Sequence, residues 1–121
     1  PQNVSTAIDL FQLSRYLYKN NPAVFEVSRK KNYQIFAHRW ASNSRFINDS
    51  NYLGGKNGYT DEANHTLVSI FSFREFGNRP IALILLGANN KENDARTLIS
   101  FVRKNVLYYS SNVGATFSSG I

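Results

Sequence analysis

Two strand-length apolar runs separated by a short break constrain this chain more than any other feature. Thr66 to Phe73 reads Thr-Leu-Val-Ser-Ile-Phe-Ser-Phe, and Ile81 to Leu86 is continuously apolar before Gly87. Between them Phe76-Gly77-Asn78-Arg79-Pro80 concentrates turn formers. β-branched and aromatic runs joined this way are expected to pair as an antiparallel hairpin. Upstream, Tyr52 to Thr60 is expected to be a further strand, with glycines inside it.

Helices are expected on either side. Thr6 can cap a helix over residues 6–19, with Asp9 at capping-box spacing and Ala7, Leu10, Leu13 and Leu17 at helical intervals. Asn20-Asn21-Pro22 stops it. Ala23 to Ser28 suggests a helical turn, Tyr33 to Ala37 a short strand, and Ala41 to Asn51, rich in Asn and Ser, a loop. Further on, Asn93 or Asp94 can cap a helix whose Ala95, Leu98, Ile99, Val102 and Val106 share one face. Arg103 and Lys104 stand near its C-terminus, where the helix dipole favours cations. The order predicts an α+β fold, a partial antiparallel sheet with flanking helices. Residues 1–109 are expected to form the domain, and the Ser- and Gly-rich residues 110–121 a flexible tail.

Composition narrows the chemistry. At 121 residues and 42% hydrophobic, the chain can bury one small core. It has no Cys, which excludes disulfides, thiolate zinc sites and a cysteine nucleophile. The two histidines, His38 and His65, form no ligand pair, so neither a metal site nor a cofactor is expected. A net charge of +6 favours anionic partners such as an acidic cell-wall polymer, lipid or nucleic acid. Adjacent basic residues are confined to short groups such as Lys30-Lys31 and Arg103-Lys104, so a dedicated nucleic-acid groove is not expected. No apolar run reaches the ~18 residues of a membrane helix.

The segment most suggestive of chemistry is Gly54-Gly55-Lys56-Asn57-Gly58-Tyr59-Thr60. Glycines inside a strand mark a bulge or a close backbone approach. A strand with side chains missing can accept a peptide alongside it through main-chain hydrogen bonds. Lys56 would then offer a charge to a terminal carboxylate and Asn57 an amide donor. Read alone, Asn57-Gly58 is equally a hairpin turn signal, and spacing by itself favours that turn.

In its longer context, Gly55-Lys56-Asn57-Gly58-Tyr59-Thr60-Asp61-Glu62-Ala63 resembles the Lys-Thr-Gly box of the D-alanyl-D-alanine carboxypeptidases, the low-molecular-mass penicillin-binding proteins. The strands that follow, the helix opened by Asn93-Asp94-Ala95-Arg96 and the upstream Ser5-Thr6-Ala7-Ile8-Asp9-Leu10 resemble the same family in the same order, across Val4 to Val106. The resemblance implies a β-lactamase-like fold, a serine-type hydrolase acting on peptidoglycan stem peptides, interaction with β-lactams and a place in the bacterial cell envelope. By position, Lys56 and Tyr59 match catalytic-strand residues, and Lys56, Asn57, Gly58, Tyr59 and Thr60 the substrate-binding stretch. Lys56 would help to hold the substrate carboxylate, and the Tyr59 N–H would be an oxyanion donor. Asn57 stands where Thr is usual, and Asn64 where Gly often follows Ala.

The family's mechanism also needs a Ser-x-x-Lys nucleophile and a Ser-x-Asn element. Both should precede the helix at residue 6. Ser28-Arg29-Lys30-Lys31 and Ser110-Ser111-Asn112 fit these patterns in letters but stand in the wrong order relative to Lys56. The nucleophile is therefore expected in a part of the protein N-terminal to Pro1. That part, or self-association, is the expected partner for a chain that alone would leave an apolar edge and face exposed. A non-catalytic peptide-binding module and a small basic nucleic-acid-binding domain are the alternatives.

Overall fold

The computed structural model describes residues 3–107 and 116–117. Helix α1 (Ala7–Asn20) and the short α2 (Ala23–Ser28) come first. A two-stranded ribbon follows, β1 (Asn32–Ile35) and β2 (His38–Ala41). The central antiparallel sheet comprises β3 (Tyr52–Thr60), β4 (Asn64–Ser72) and β5 (Pro80–Ala88), in the order β3-β4-β5. Helix α3 (Lys91–Asn105) is followed by β6 (Val106–Leu107), which pairs with β7 (Thr116–Phe117). The tail expected over 110–121 otherwise lies outside the described residues.

Register divides the sheet into two faces. Leu67 opposes Leu85, Ser69 opposes Leu83 and Phe71 opposes Ile81. Leu67, Phe71 and Leu83 join Phe46, Tyr52, Phe73, Phe76 and Ala95 in the main core, with Ile99 and Val102 of α3 packed against it. Phe46 meets Phe71 edge-on at 5.4 Å, and Phe71 stacks with Phe73 at 6.0 Å. Such aromatic pairs gain more than their buried area alone. The other face carries Ile70 opposite Ala82, and both line a hollow with Phe11, Ser14 and Tyr18 of α1.

Three expectations need correction. The α3 cap is Asn90, whose side chain accepts from the Asn93 N–H; neither Asn93 nor Asp94 caps it. The inner face of α1 is rotated from the expected one. Leu13 is 52% exposed, and Ser14 is the buried residue. A small side chain permits close approach to the sheet, and its hydroxyl is satisfied by donation to the Leu10 carbonyl at 2.6 Å. The strand expected over Tyr33 to Ala37 ends at Ile35, because Phe36 adopts φ 53° and turns the chain into β2. Thr6, by contrast, caps α1 as expected, accepting from the Asp9 N–H at 3.1 Å.

Candidate substrate-binding strand

Asn57 and Gly58 are not a turn. They pair with Leu67 and Thr66 inside the β3–β4 ladder, and the chain reverses at residues 61–63 instead. The strand reading prevails because the apolar alternation of β4 can be buried only if the ladder continues through Asn57.

The glycines of β3 are required chiefly by the protein itself. A Cβ on Gly55 would lie 2.2 Å from the Val68 carbonyl oxygen, a backbone atom of the neighbouring strand. Gly54 has φ 125°, and a Cβ there would meet the Phe25 carbonyl oxygen at 2.5 Å. Both glycines thus bring β3 against β4 and α2, and do not clear space for a ligand. At Gly58 the near atom is only the Thr66 hydroxyl, at 2.8 Å.

One hydrogen bond fixes which backbone groups face outwards. The Gly55 N–H donates to Ser28 Oγ at 3.0 Å, away from β4. Backbone groups along an antiparallel strand alternate between its two edges. Asn57 and Tyr59 therefore direct their N–H and C=O to the same outer edge as Gly55. In the described sheet that edge has no strand paired to it. The Lys56 ammonium donates to the Asn57 carbonyl oxygen, which brings a cation onto this edge. A cleft of about 260 Å³ runs alongside, bounded by Gly55, Lys56 and Asn57 on one side and by Lys30, Tyr33 and Trp40 on another.

The rest of the stretch is organised by the β3–β4 turn. Tyr59 is 58% exposed, its hydroxyl donates to Asp61 at 3.0 Å, and its ring lies 4.7 Å from that of His65. Lys91 Nζ approaches His65 Nδ1 at 3.3 Å. The Thr60 hydroxyl accepts from the Ala63 N–H at 3.0 Å, so it shapes the turn. Asn64 has φ 54°, a conformation that Asn tolerates better than most residues, which explains how it fills a position suited to Gly.

Ser28 has a place that its sequence context did not reveal. It is half-buried, donates to the Phe25 carbonyl at 3.1 Å and accepts from Gly55, so it docks α2 onto β3. The Ser-x-x-Lys letters following it carry no sign of this, because the bond spans distant parts of the chain. Ser110 and its neighbours lie outside the described residues. Close by, burial pushes the Tyr52 phenol up, partly offset by a hydrogen bond with Ser44.

An edge-open antiparallel sheet between helices, carrying a glycine-flanked lysine, defines a domain of the penicillin-binding-protein fold. Over 83% of its length the chain is similar to penicillin-binding protein D2 of Listeria monocytogenes in its cefotaxime-bound form, with 27% identity and a TM-score of 0.73. A peptidoglycan synthesis regulatory factor, PBP3, of Streptococcus pneumoniae shares the fold at a TM-score of 0.74 and 22% identity over 88% of the chain. The D-alanyl-D-alanine carboxypeptidase family profile matches residues 1–90. The chain belongs to that family. It spans 41% of the Listeria protein and 31% of the Streptococcus one. No curated protein matches it.

Proposed function

We propose that this chain supplies the substrate-binding strand of a serine-type D-alanyl-D-alanine carboxypeptidase, and that the nucleophile belongs to a part of the protein N-terminal to it. The observation that carries the reading is the Lys56 ammonium on the open edge of β3, beside the outward Asn57 and Tyr59 backbone. A stem peptide ending in D-Ala-D-Ala adds to this edge by main-chain hydrogen bonds. Lys56 holds its terminal carboxylate by a charge-assisted bond. The serine of the N-terminal part attacks the penultimate D-Ala carbonyl, and the Tyr59 N–H donates to the oxyanion that develops. The C–N bond breaks, the terminal D-Ala leaves as the amine, and water then hydrolyses the acyl-serine ester. β-Lactams acylate the same serine. The setting is the cell envelope, where peptidoglycan lies; among the described residues no helix is long and apolar enough to cross a membrane.

Asn57 favours a second reading. Where the family uses Thr, this chain has an amide, which fits a binding module that keeps the peptide-accepting strand without turnover. Intact mass spectrometry after incubation with a fluorescent penicillin separates the two. The first reading predicts a covalent adduct on a polypeptide that purifies natively with this chain, formed at least about 100-fold more slowly with Lys56→Ala. An adduct on Ser28 of this chain would contradict it. Peptide binding without any adduct, even after Asn57→Thr, assigns the binding module instead.

A further inference from the structure

The β1–β2 ribbon lends Tyr33 and Trp40 to one wall of the cleft, but most of its chemistry faces elsewhere. Opposed residues share a face of an antiparallel pair. Tyr33, Ile35, His38 and Trp40 therefore lie on one side, and Asn32, Gln34, Arg39 and Ala41 on the other. On the polar side, Arg39 Nε donates to Gln34 Oε1 at 3.0 Å. On the apolar side, Trp40 stacks on His38 at 5.9 Å and lies 6.5 Å from Tyr33. Ile35 and Trp40 remain 43% and 53% exposed. The two strands pack chiefly on each other.

The tip is more unusual. Ile35 opposes His38, so the loop is Phe36-Ala37. Phe36 has φ 53° while Ala37 does not share the positive φ. In two-residue hairpins, a positive φ at the first central position alone ordinarily calls for Gly. Phe is strained there, and at 91% exposure it gains almost no packing in return. A strained residue without compensation inside the fold points to a use outside it.

The surrounding charge indicates which use. Arg29, Lys30, Lys31, Arg39 and Arg45 are all exposed, and no Asp or Glu occurs from Val27 to Asn48. Among the described residues none of these five is ion-paired. An apolar groove in a partner protein would take Phe36 but has no need of the cations. A soluble polyanion would take the cations but not Phe36. An anionic bilayer takes both, since aromatic side chains settle at the headgroup boundary and basic side chains bind the lipid charge. We propose that the β1–β2 hairpin is a membrane-interface anchor: Phe36, Ile35 and Trp40 enter the headgroup region of an anionic phospholipid bilayer, and the flanking Arg29, Lys30, Lys31 and Arg45 hold its surface. The inference shares Trp40 and Lys30 with the cleft beside β3, but it is read out by vesicle binding, which does not require a peptide to bind there.

Trp40 is the sole tryptophan, so its emission reports on the hairpin directly. The experiment titrates the full chain with vesicles of phosphatidylglycerol and phosphatidylcholine, and with phosphatidylcholine alone. A blue shift and co-sedimentation are expected with the anionic vesicles, with affinity at least about tenfold lower for the neutral ones. Phe36→Gly is the decisive variant. It should hold or raise the unfolding midpoint, because the turn accepts Gly, yet weaken vesicle binding severalfold. Unshifted emission with anionic vesicles, or undiminished binding by Phe36→Gly, overturns the proposal. An equal blue shift with soluble polyglutamate overturns it too and assigns the patch to acidic polymers.

Discussion

Gly55 is held by its own fold. With the Val68 carbonyl oxygen 2.2 Å from where a Cβ would stand, Gly55→Ala should cost about 2–3 kcal/mol, measured by urea unfolding. Glycine density marked this strand as a place of close approach, but sequence alone could not say that the approaching backbone was β4 and α2. Ser69 makes the opposite case. It is fully buried, and its hydroxyl has no hydrogen-bond partner among the described residues. Ser69→Ala removes an uncompensated desolvation cost and should raise stability by about 1 kcal/mol; a loss on urea unfolding would reveal an unseen partner. Tyr52 sets an alkaline limit. Burial raises its folded pKa above the unfolded value of about 10. Its contribution is therefore full below pH 10 and is lost as pH rises through the folded pKa. Tyr52→Phe should make the alkaline decline of the unfolding free energy shallower.

At the scale of elements, β4 organises the core and β3 the candidate site. Phe71 is 1% exposed and touches Phe46, Tyr52 and Phe73 through its ring. Phe71→Ala should cost about 3–5 kcal/mol. The β3–β4 turn depends on Asn64 in the left-handed region. Asn64→Ala should cost about 1 kcal/mol, while Asn64→Gly should be neutral or stabilising, both read from the thermal midpoint. The three central strands were legible because each is a long β-rich run bounded by turn residues. The β1–β2 ribbon was only half legible. Its turn places Phe at a position suited to Gly, so no turn signal separates the strands. The rotated face of α1 had a similar cause: Leu13 and Ser14 are neighbours, and apolarity favours Leu13 although close packing on the sheet selects Ser14.

For the molecule as a whole, the open edge of β3 is the feature on which the proposed substrate site rests. Family membership was readable from the order of segments around Lys56, and the ladder confirms that Asn57-Gly58 lies within a strand. What the sequence could not display is how Ser28 and Gly55 together aim the Asn57 and Tyr59 backbone outwards, since that follows from a bond between residues far apart in the chain. The most direct measurement is an NMR titration of the isotope-labelled chain with diacetyl-L-lysyl-D-alanyl-D-alanine, following the backbone amides. A peptide-accepting β3 edge predicts shifts centred on Asn57, Gly58 and Tyr59, weakened about tenfold or more by Lys56→Ala or by amidating the peptide's terminal carboxylate. Shifts confined to another surface, or binding indifferent to both changes, would contradict it.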